Sequence, residues 1–169
     1  MPDGGRILDL GCGSGRDSLA FKRHGKAVVA LDASSKMCEM ASKLIGQEVL
    51  QMRFDEIVFK NEFDGIWACA SLLHVPNDEL PSVLGKVKKA LKRHGILYIS
   101  FKFGEGTTKR GERSFSDHTD VSVRKLLNDA GFDVSECGVT SDIRPGRADE
   151  KWVNAIAKAR MKKVYGMPR

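Results

Sequence analysis

The chain has 169 residues, enough for one domain with a sizeable core and too few for two of ordinary size. Its 41% hydrophobic and 30% charged residues are typical of a soluble globular protein, and no run approaches the roughly 20 apolar residues that a bilayer span requires. The net charge of +6 raises the question of nucleic acid.

A first strand is expected over Arg6 to Cys12, ending in a turn with glycines at alternate positions, Gly11, Gly13 and Gly15. Arg16 then opens a helix that runs to His24 and is closed by Gly25. Strand, glycine turn and helix N-terminus together form a cradle in which a ligand lies against the main chain. A second strand, Lys26 to Leu31, ends in Asp32, a carboxylate placed at the strand tip to accept from ribose hydroxyls. The two features point to a nucleoside-containing cofactor. The spacing is D-x-G-x-G-x-G from Asp9, not the G-x-G-x-x-G of dinucleotide folds.

Further along, Ser34 to Ile45 reads as a helix capped by Ser34 or Ser35 and stopped at Gly46. Glu48 to Arg53 and Gly65 to Ala70 read as the third and fourth strands. Pro76-Asn77-Asp78 opens a long helix to His94, with Gly95 as its stop. Ile96 to Phe101 is the fifth strand, Asp120 to Ala130 a helix, Phe132 to Val139 the sixth strand and Lys151 to Ala159 the last. Repeated strand-helix units predict a mostly parallel sheet with helices on both faces, and the final two strands, joined only by a loop, pair antiparallel. Lys-Arg-His-Gly occurs at 22–25 and again at 92–95, read as a reused helix C-terminus with basic residues at its negative end. The glycine-punctuated stretch 102–118 reads as a mobile lid carrying Lys109, Arg110 and Arg113.

Cys12, Cys38, Cys69 and Cys137 have neither CxxC nor metal-ligand spacing, and no signal-peptide pattern precedes them. Free thiols, no metal and a cytoplasmic location are expected. The basic excess collects at Lys86, Lys88, Lys89, Lys92 and Arg93, within one expected helix, and at Lys158, Arg160, Lys162, Lys163 and Arg169 in the tail. Such clusters can follow phosphates. No aromatic residues interleave with them, so solvated faces are favoured over a nucleic-acid surface.

The motif Asp9-x-Gly11-x-Gly13-x-Gly15, with Asp32 after it, resembles motif I of the class I S-adenosylmethionine-dependent methyltransferases, and the segment order extends the resemblance over nearly the whole chain. It implies a single domain over 1–169 with an α/β, Rossmann-like, doubly wound seven-stranded sheet of order 3-2-1-4-5-7-6, strand 7 antiparallel. It also implies S-adenosylmethionine as cofactor and S-adenosylhomocysteine as product. By the resemblance, Asp9, Gly11, Cys12, Gly13 and Gly15 lie at the methionine part, Asp32 and Ala33 at the ribose, and Ala70 near the methyl-donor sulfur. Met37 covers one face of adenine or is an ordinary core contact, and the backbone N–H of Phe54 meets the ring. Arg53 stands where many relatives have an aspartate for the adenine amino group, and arginine cannot accept. Either Asp55 substitutes, or main chain or water does.

Neither Asn/Asp-Pro-Pro-Tyr nor a Pro-Cys pair follows the fourth strand, which argues against methylation of DNA bases. His74 orients the acceptor or takes its proton, unless it is a structural histidine. Arg144 and Arg147, together with the lid cations, suggest an anionic acceptor; solvated loop charges are the alternative. Gly15-Arg16-Asp17-Ser18-Leu19 and the arginine-containing loop before the last strand resemble the small tellurite-resistance-type methyltransferases. In that group such basic residues hold an oxyanion, which favours a small-molecule acceptor. His74, Arg144 and Arg147 are therefore the candidate catalytic residues. Relatives carry one or two helices before the first strand, and here that strand is expected to start at about residue 6: the sequence is truncated, its start is mis-assigned, or it is a minimal form. In the last case an open sheet face is expected, covered by a second copy or a partner subunit. The competing functions are an S-adenosylmethionine-binding module inactive alone or acting in a complex, and an RNA methyltransferase.

Overall fold

Nine strands and four helices follow one another in the computed structural model, which describes residues 2–111 and 113–160. In chain order they are β1 (Arg6–Leu10), α1 (Arg16–Arg23), β2 (Ala27–Asp32), α2 (Ser35–Ile45), β3 (Leu50–Gln51), β4 (Phe63–Ala68), α3 (Leu80–Ala90), β5 (Leu91–Lys102), β6 (Gly106–Arg110), β7 (Arg113–Asp117), α4 (Asp120–Asp129), β8 (Phe132–Ser141) and β9 (Lys151–Ala159). Lys162, Lys163 and Arg169 of the basic tail, and the side chains of Arg110 and Arg113, lie outside the described set.

Seven of the strands form one sheet in the order β3-β2-β1-β4-β5-β9-β8, parallel from β3 to β5, with β9 antiparallel to both neighbours. Setting aside the separate β6–β7 hairpin, this is the expected 3-2-1-4-5-7-6. Central β1 is buried on both faces, which is why Ile7, Leu8 and Leu10 run almost without a polar break. The larger core packs Leu97, Ile99, Phe101 and Val153 of the sheet with Leu84 and Val87 of α3. A smaller one joins Ala30 to Cys38, Ala41 and Ile45 of α2. Helices α1 and α2 meet at a glycine: a Cβ on Gly15 (φ +87°) would lie 3.0 Å from the Cα and Cβ of Ala41. Ser34 caps α2, its Oγ accepting from Met37 N, and Gly46 ends it at φ +64°.

Four expectations are corrected. The third strand is not Glu48 to Arg53: it pairs with β2 only at Leu50 and Gln51, and a 3-10 turn at Phe54–Glu56 follows. The helix expected from Pro76 to His94 covers only Leu80–Ala90. Leu91 already pairs with Phe63, and Lys92 Nζ reaches Asp64 Oδ2 at 2.8 Å, so Lys92 and Arg93 belong to β5 and the helical basic run is shorter. The Lys-Arg-His-Gly repeat therefore closes a helix only at its first copy. At the second it turns within β5, with His94 at φ +67°. Finally, the stretch read as a lid holds the antiparallel β6–β7 hairpin, tied to the body of the fold: the buried Ser116 Oγ donates to Val75 O at 2.8 Å, and His118 N to Lys102 O at 3.0 Å.

Residues of β4, β5 and β9 that alternate with the larger core stay half-exposed, among them Trp67, Ile96, Tyr98 and Ile156. They line a groove of about 500 Å³ on the sheet face away from α3 and α4. All four cysteines are free thiols. Among the described residues no helix is long and apolar enough to cross a membrane, and no three His, Cys, Asp or Glu side chains cluster as metal ligands.

Candidate functional site

The site is built at the carboxyl ends of β1, β2, β4 and β5, where the strand order reverses. The chain leaves β1 by folding back on β2: the N–H groups of Gly11 and Cys12 both donate to Leu31 O at 2.9 Å. This brings Gly11 (φ +78°) against the segment after β4, where a Cβ would lie 2.5 Å from Ser71 Cβ. Gly13 (φ +53°) faces open space, and its N–H donates to Asp32 Oδ2 at 3.0 Å. Asp32 Oδ1 accepts from Ser34 N at 2.9 Å. The carboxylate is thus fixed by main chain while each oxygen keeps a further lone pair for an incoming hydroxyl.

Behind the turn, Asp9 is buried and accepts from Ser18 Oγ at 2.6 Å. Burial pushes its pKa up to about 6. Burial also raises the Cys12 thiol to about 12, so it stays protonated and is no nucleophile. Asp9, Gly11, Cys12, Gly13 and Ala70 line one cavity of about 290 Å³. Ala70 stands at φ +50°, its N–H donating to Ser100 Oγ at 2.8 Å. Next to it, Ser71 Oγ is buried with no hydrogen-bond partner. A turn that only glycine can make, an orphaned hydroxyl beside it and a carboxylate with spare lone pairs fit the amino-acid and ribose parts of a nucleoside cofactor.

A second cavity, of about 160 Å³, is lined by Ala33, Phe54, Asp55, His74 and Val75. Arg53 Nε holds Asp55 Oδ1 at 2.9 Å, which keeps that carboxyl below the usual carboxylate range. His74 belongs here, its ring 4.9 Å from that of Phe115 in the hairpin. Met37, half-buried in the first turn of α2, lines neither cavity.

The third cavity, of about 390 Å³, opens beside the first and shares Arg16, Cys69 and Ala70 with it. Its far wall comes from the β8–β9 loop and β9, with Asp142, Arg144, Trp152 and Asn154. Arg144 is therefore brought to a cavity and His74 to a different one. Arg147 is exposed and outside that lining; its backbone N–H donates to Arg144 O at 3.1 Å. Sequence reasoning missed Arg16, Tyr98 and Trp152. For Arg16 a signal was there: it directly follows the last glycine of the turn, at the mouth of whatever that turn holds.

Residues 7–95 match a family model described as a methyltransferase domain. The chain is 26% identical over 156 residues to the magnesium-protoporphyrin O-methyltransferase of Synechocystis, covering 80% of this chain and 66% of the relative. It is 31% identical over 108 residues to a ubiquinone biosynthesis O-methyltransferase of Actinobacillus pleuropneumoniae, covering 57% and 45%. The chain thus spans about half to two thirds of the length of these relatives. Among solved structures, an S-adenosylmethionine-dependent methyltransferase from Methanosarcina mazei superposes with a TM-score of 0.85 at 20% identity, covering 96% of this chain and 95% of that one. The Burkholderia thailandensis 1,6-didemethyltoxoflavin-N1-methyltransferase, solved with 1,6-didemethyltoxoflavin and S-adenosylhomocysteine, gives 0.81 at 21% identity, covering 93% and 72%. The glycine turn, the acid at the tip of β2, the strand order and the family match agree: the chain belongs to the class I S-adenosylmethionine-dependent methyltransferases.

Proposed function

We propose that the chain transfers a methyl group from S-adenosylmethionine to a small, anionic acceptor held in the cavity of about 390 Å³, leaving S-adenosylhomocysteine. The observation that carries this reading is the wall of Arg16, Cys69 and Ala70 shared by the glycine-turn cavity and its larger neighbour, which lets two ligands meet end to end. When bound, the cofactor supplies a methyl already activated on a positive sulfur, so the protein has mainly to align the partners. In this reading the turn Gly11 to Gly15, with Cys12 within it and Asp9 behind, holds the methionine part. Asp32 and Ala33 hold the ribose, and Phe54, Asp55 and Met37 border the adenine.

Arg144 faces the acceptor and Arg147 flanks it. His74, in the smaller cavity, favours a contact on the cofactor side. The walls of the larger cavity offer poor bases: burial raises Tyr98 to about 12 and Cys69 above the ordinary thiol value, and Asp142 is engaged by Arg144. An acceptor whose attacking atom is already deprotonated needs none. Four free thiols support a reducing, cytoplasmic setting.

Calorimetric titration with S-adenosylmethionine and S-adenosylhomocysteine, on wild type and Asp32→Ala, tests the cofactor half. Both ligands are expected to bind, and the substitution is expected to weaken them by about 1–3 kcal/mol through lost hydrogen bonds. Folded wild-type protein that binds neither would overturn the reading.

A further inference from the structure

Each of the two tryptophans of the chain holds an aspartate that in turn holds an arginine of the acceptor cavity; Trp152 itself lines that cavity, and Trp67 lies outside its lining. In one case, Trp67 Nε1 donates to Asp17 Oδ2 at 2.9 Å, while Asp17 Oδ1 accepts from Arg16 Nε at 2.8 Å. In the other, Trp152 Nε1 donates to Asp142 Oδ2 at 3.0 Å, while Asp142 Oδ1 accepts from Arg144 Nε at 2.9 Å and its carboxylate also takes Arg144 Nη2. Each aspartate is anchored by an indole and holds an arginine by its Nε edge. Both arginines line the cavity, and their charges repel one another. Asp142 is itself buried and further tied down by accepting the backbone N–H of Arg144 at 2.9 Å. Arg144 is therefore fixed in direction although about half of its side chain is exposed.

We propose that these two Trp–Asp–Arg relays form a clamp for the carboxylate of a small organic acceptor, with Asp17 and Asp142 as positioning residues; this rests on the methyltransferase reading above. A guanidinium held at Nε keeps Nη hydrogens on its other edge, the edge that matches a two-oxygen anion. The aspartates cancel most of the net charge, so a ligand is selected by donor geometry and not by a diffuse positive field. The size of the cavity separates an organic acid from a bare inorganic anion: about 390 Å³ lies in the range of small-molecule sites, and Tyr98 and Trp152 supply flat walls for a planar ring.

The test titrates the full chain, saturated with S-adenosylhomocysteine, with a series of small aromatic carboxylates beginning with benzoate, each against its neutral amide. Binding is read by calorimetry and by tryptophan emission, with Trp67→Phe and Trp152→Phe leaving one indole at a time. At least one carboxylate is expected to bind about tenfold more tightly than its amide, the margin of one charge-assisted hydrogen bond. Arg16→Gln and Arg144→Gln are each expected to erase that margin, and both indoles to respond. Asp142→Asn keeps an acceptor for the indole but loses the charge that orients Arg144; it should weaken the acid and spare the amide, a split that general loosening would not produce. The clamp is wrong if no carboxylate outbinds its amide, if inorganic sulfate binds as tightly as the best acid, or if the arginine variants bind like wild type. The comparison is repeated without S-adenosylhomocysteine. A failure of that ligand to bind would then strike the methyltransferase reading alone.

Discussion

The proposed cofactor edge and the proposed acceptor edge of this site are made from different materials. The first is mostly main chain from one stretch of sequence: the N–H groups of Gly11, Cys12 and Gly13 are held by Leu31 O and the Asp32 carboxylate within residues 11–32, and Ala70 and Ser71 close it from the segment after β4. The second is side chain, gathered from α1, β4, β5, the β8–β9 loop and β9. Main-chain recognition depends on dihedral angles that few residues can adopt, so it resists change. Side-chain recognition can be replaced residue by residue without disturbing the sheet. A family that keeps one cofactor and varies its acceptor can be built this way.

If the comparison is right, the cofactor edge should be brittle. The largest effect is expected at Gly11→Val. Its φ of +78° already disfavours any side chain, and a Cβ there meets Ser71 Cβ at 2.5 Å. Backbone strain and overpacking together are expected to cost about 2–5 kcal/mol of unfolding free energy and to abolish cofactor binding in a titration. Gly25→Ala is the control. It has the same sign of φ (+72°) but nothing within 4 Å of the added carbon. It should cost about 1 kcal/mol and leave cofactor affinity unchanged. Equal losses of affinity at both glycines would mean that the turn is sensitive to strain anywhere in β1–α1–β2 and not to its own geometry.

Asp9 sharpens the same contrast through pH. Its unfolded-state value of 3.8 rises to about 6 in the folded protein because the carboxyl is buried. Below about pH 4 both states carry the proton, and the stability tied to this group is fully present. Between pH 4 and 6 only the folded state keeps the proton. As pH rises through 6 the buried group must ionise and that stability is lost, about 3 kcal/mol in all. Asp9→Asn, which can still accept from Ser18, should flatten this part of a denaturant-unfolding profile measured from pH 4 to 7.5. A wild-type profile parallel to that of the variant would remove Asp9 from the account.

The division also explains what could be read from the sequence. Strand, glycines and Asp32 lie within the first 32 residues, and their spacing alone implies the cradle. Alternating segments and one loop-joined pair implied a mostly parallel sheet with an antiparallel end; its strand order came from the resemblance to the methyltransferase family. The β6–β7 hairpin was not legible, because glycine punctuation reads as a lid until Ser116 is known to reach Val75, 41 residues away. The end of α3 was missed because Leu91 continues the helical apolar spacing of Val83 and Val87, and only its pairing with Phe63 pulls it into a strand. His74 was expected with Arg144, since both follow strands at the same edge; the Phe115 ring beside His74 belongs to the hairpin that the sequence did not reveal. Asp142 and Asp17 look like ordinary loop and helix-start acids until each is seen between an arginine and an indole.

The smallest expected effect concerns how the hairpin joins the two edges. Ser116 Oγ donates to Val75 O, and Val75 and His74 line the smaller cavity. Ser116→Ala removes that buried donor and should lower stability by about 1 kcal/mol. The loss should be local, visible as faster hydrogen exchange in 106–117 before any change in the sheet. Cofactor affinity should fall slightly as well, because the cavity wall is held in place by that bond. Thr108→Ala, on the exposed part of β6, should alter neither quantity. If Ser116→Ala speeds exchange yet leaves affinity untouched, the hairpin is a brace for the segment after β4 and contributes nothing to the pocket. If affinity falls with exchange, this stretch of irregular sequence is part of the cofactor edge, and the main-chain cradle extends beyond the residues that announce it.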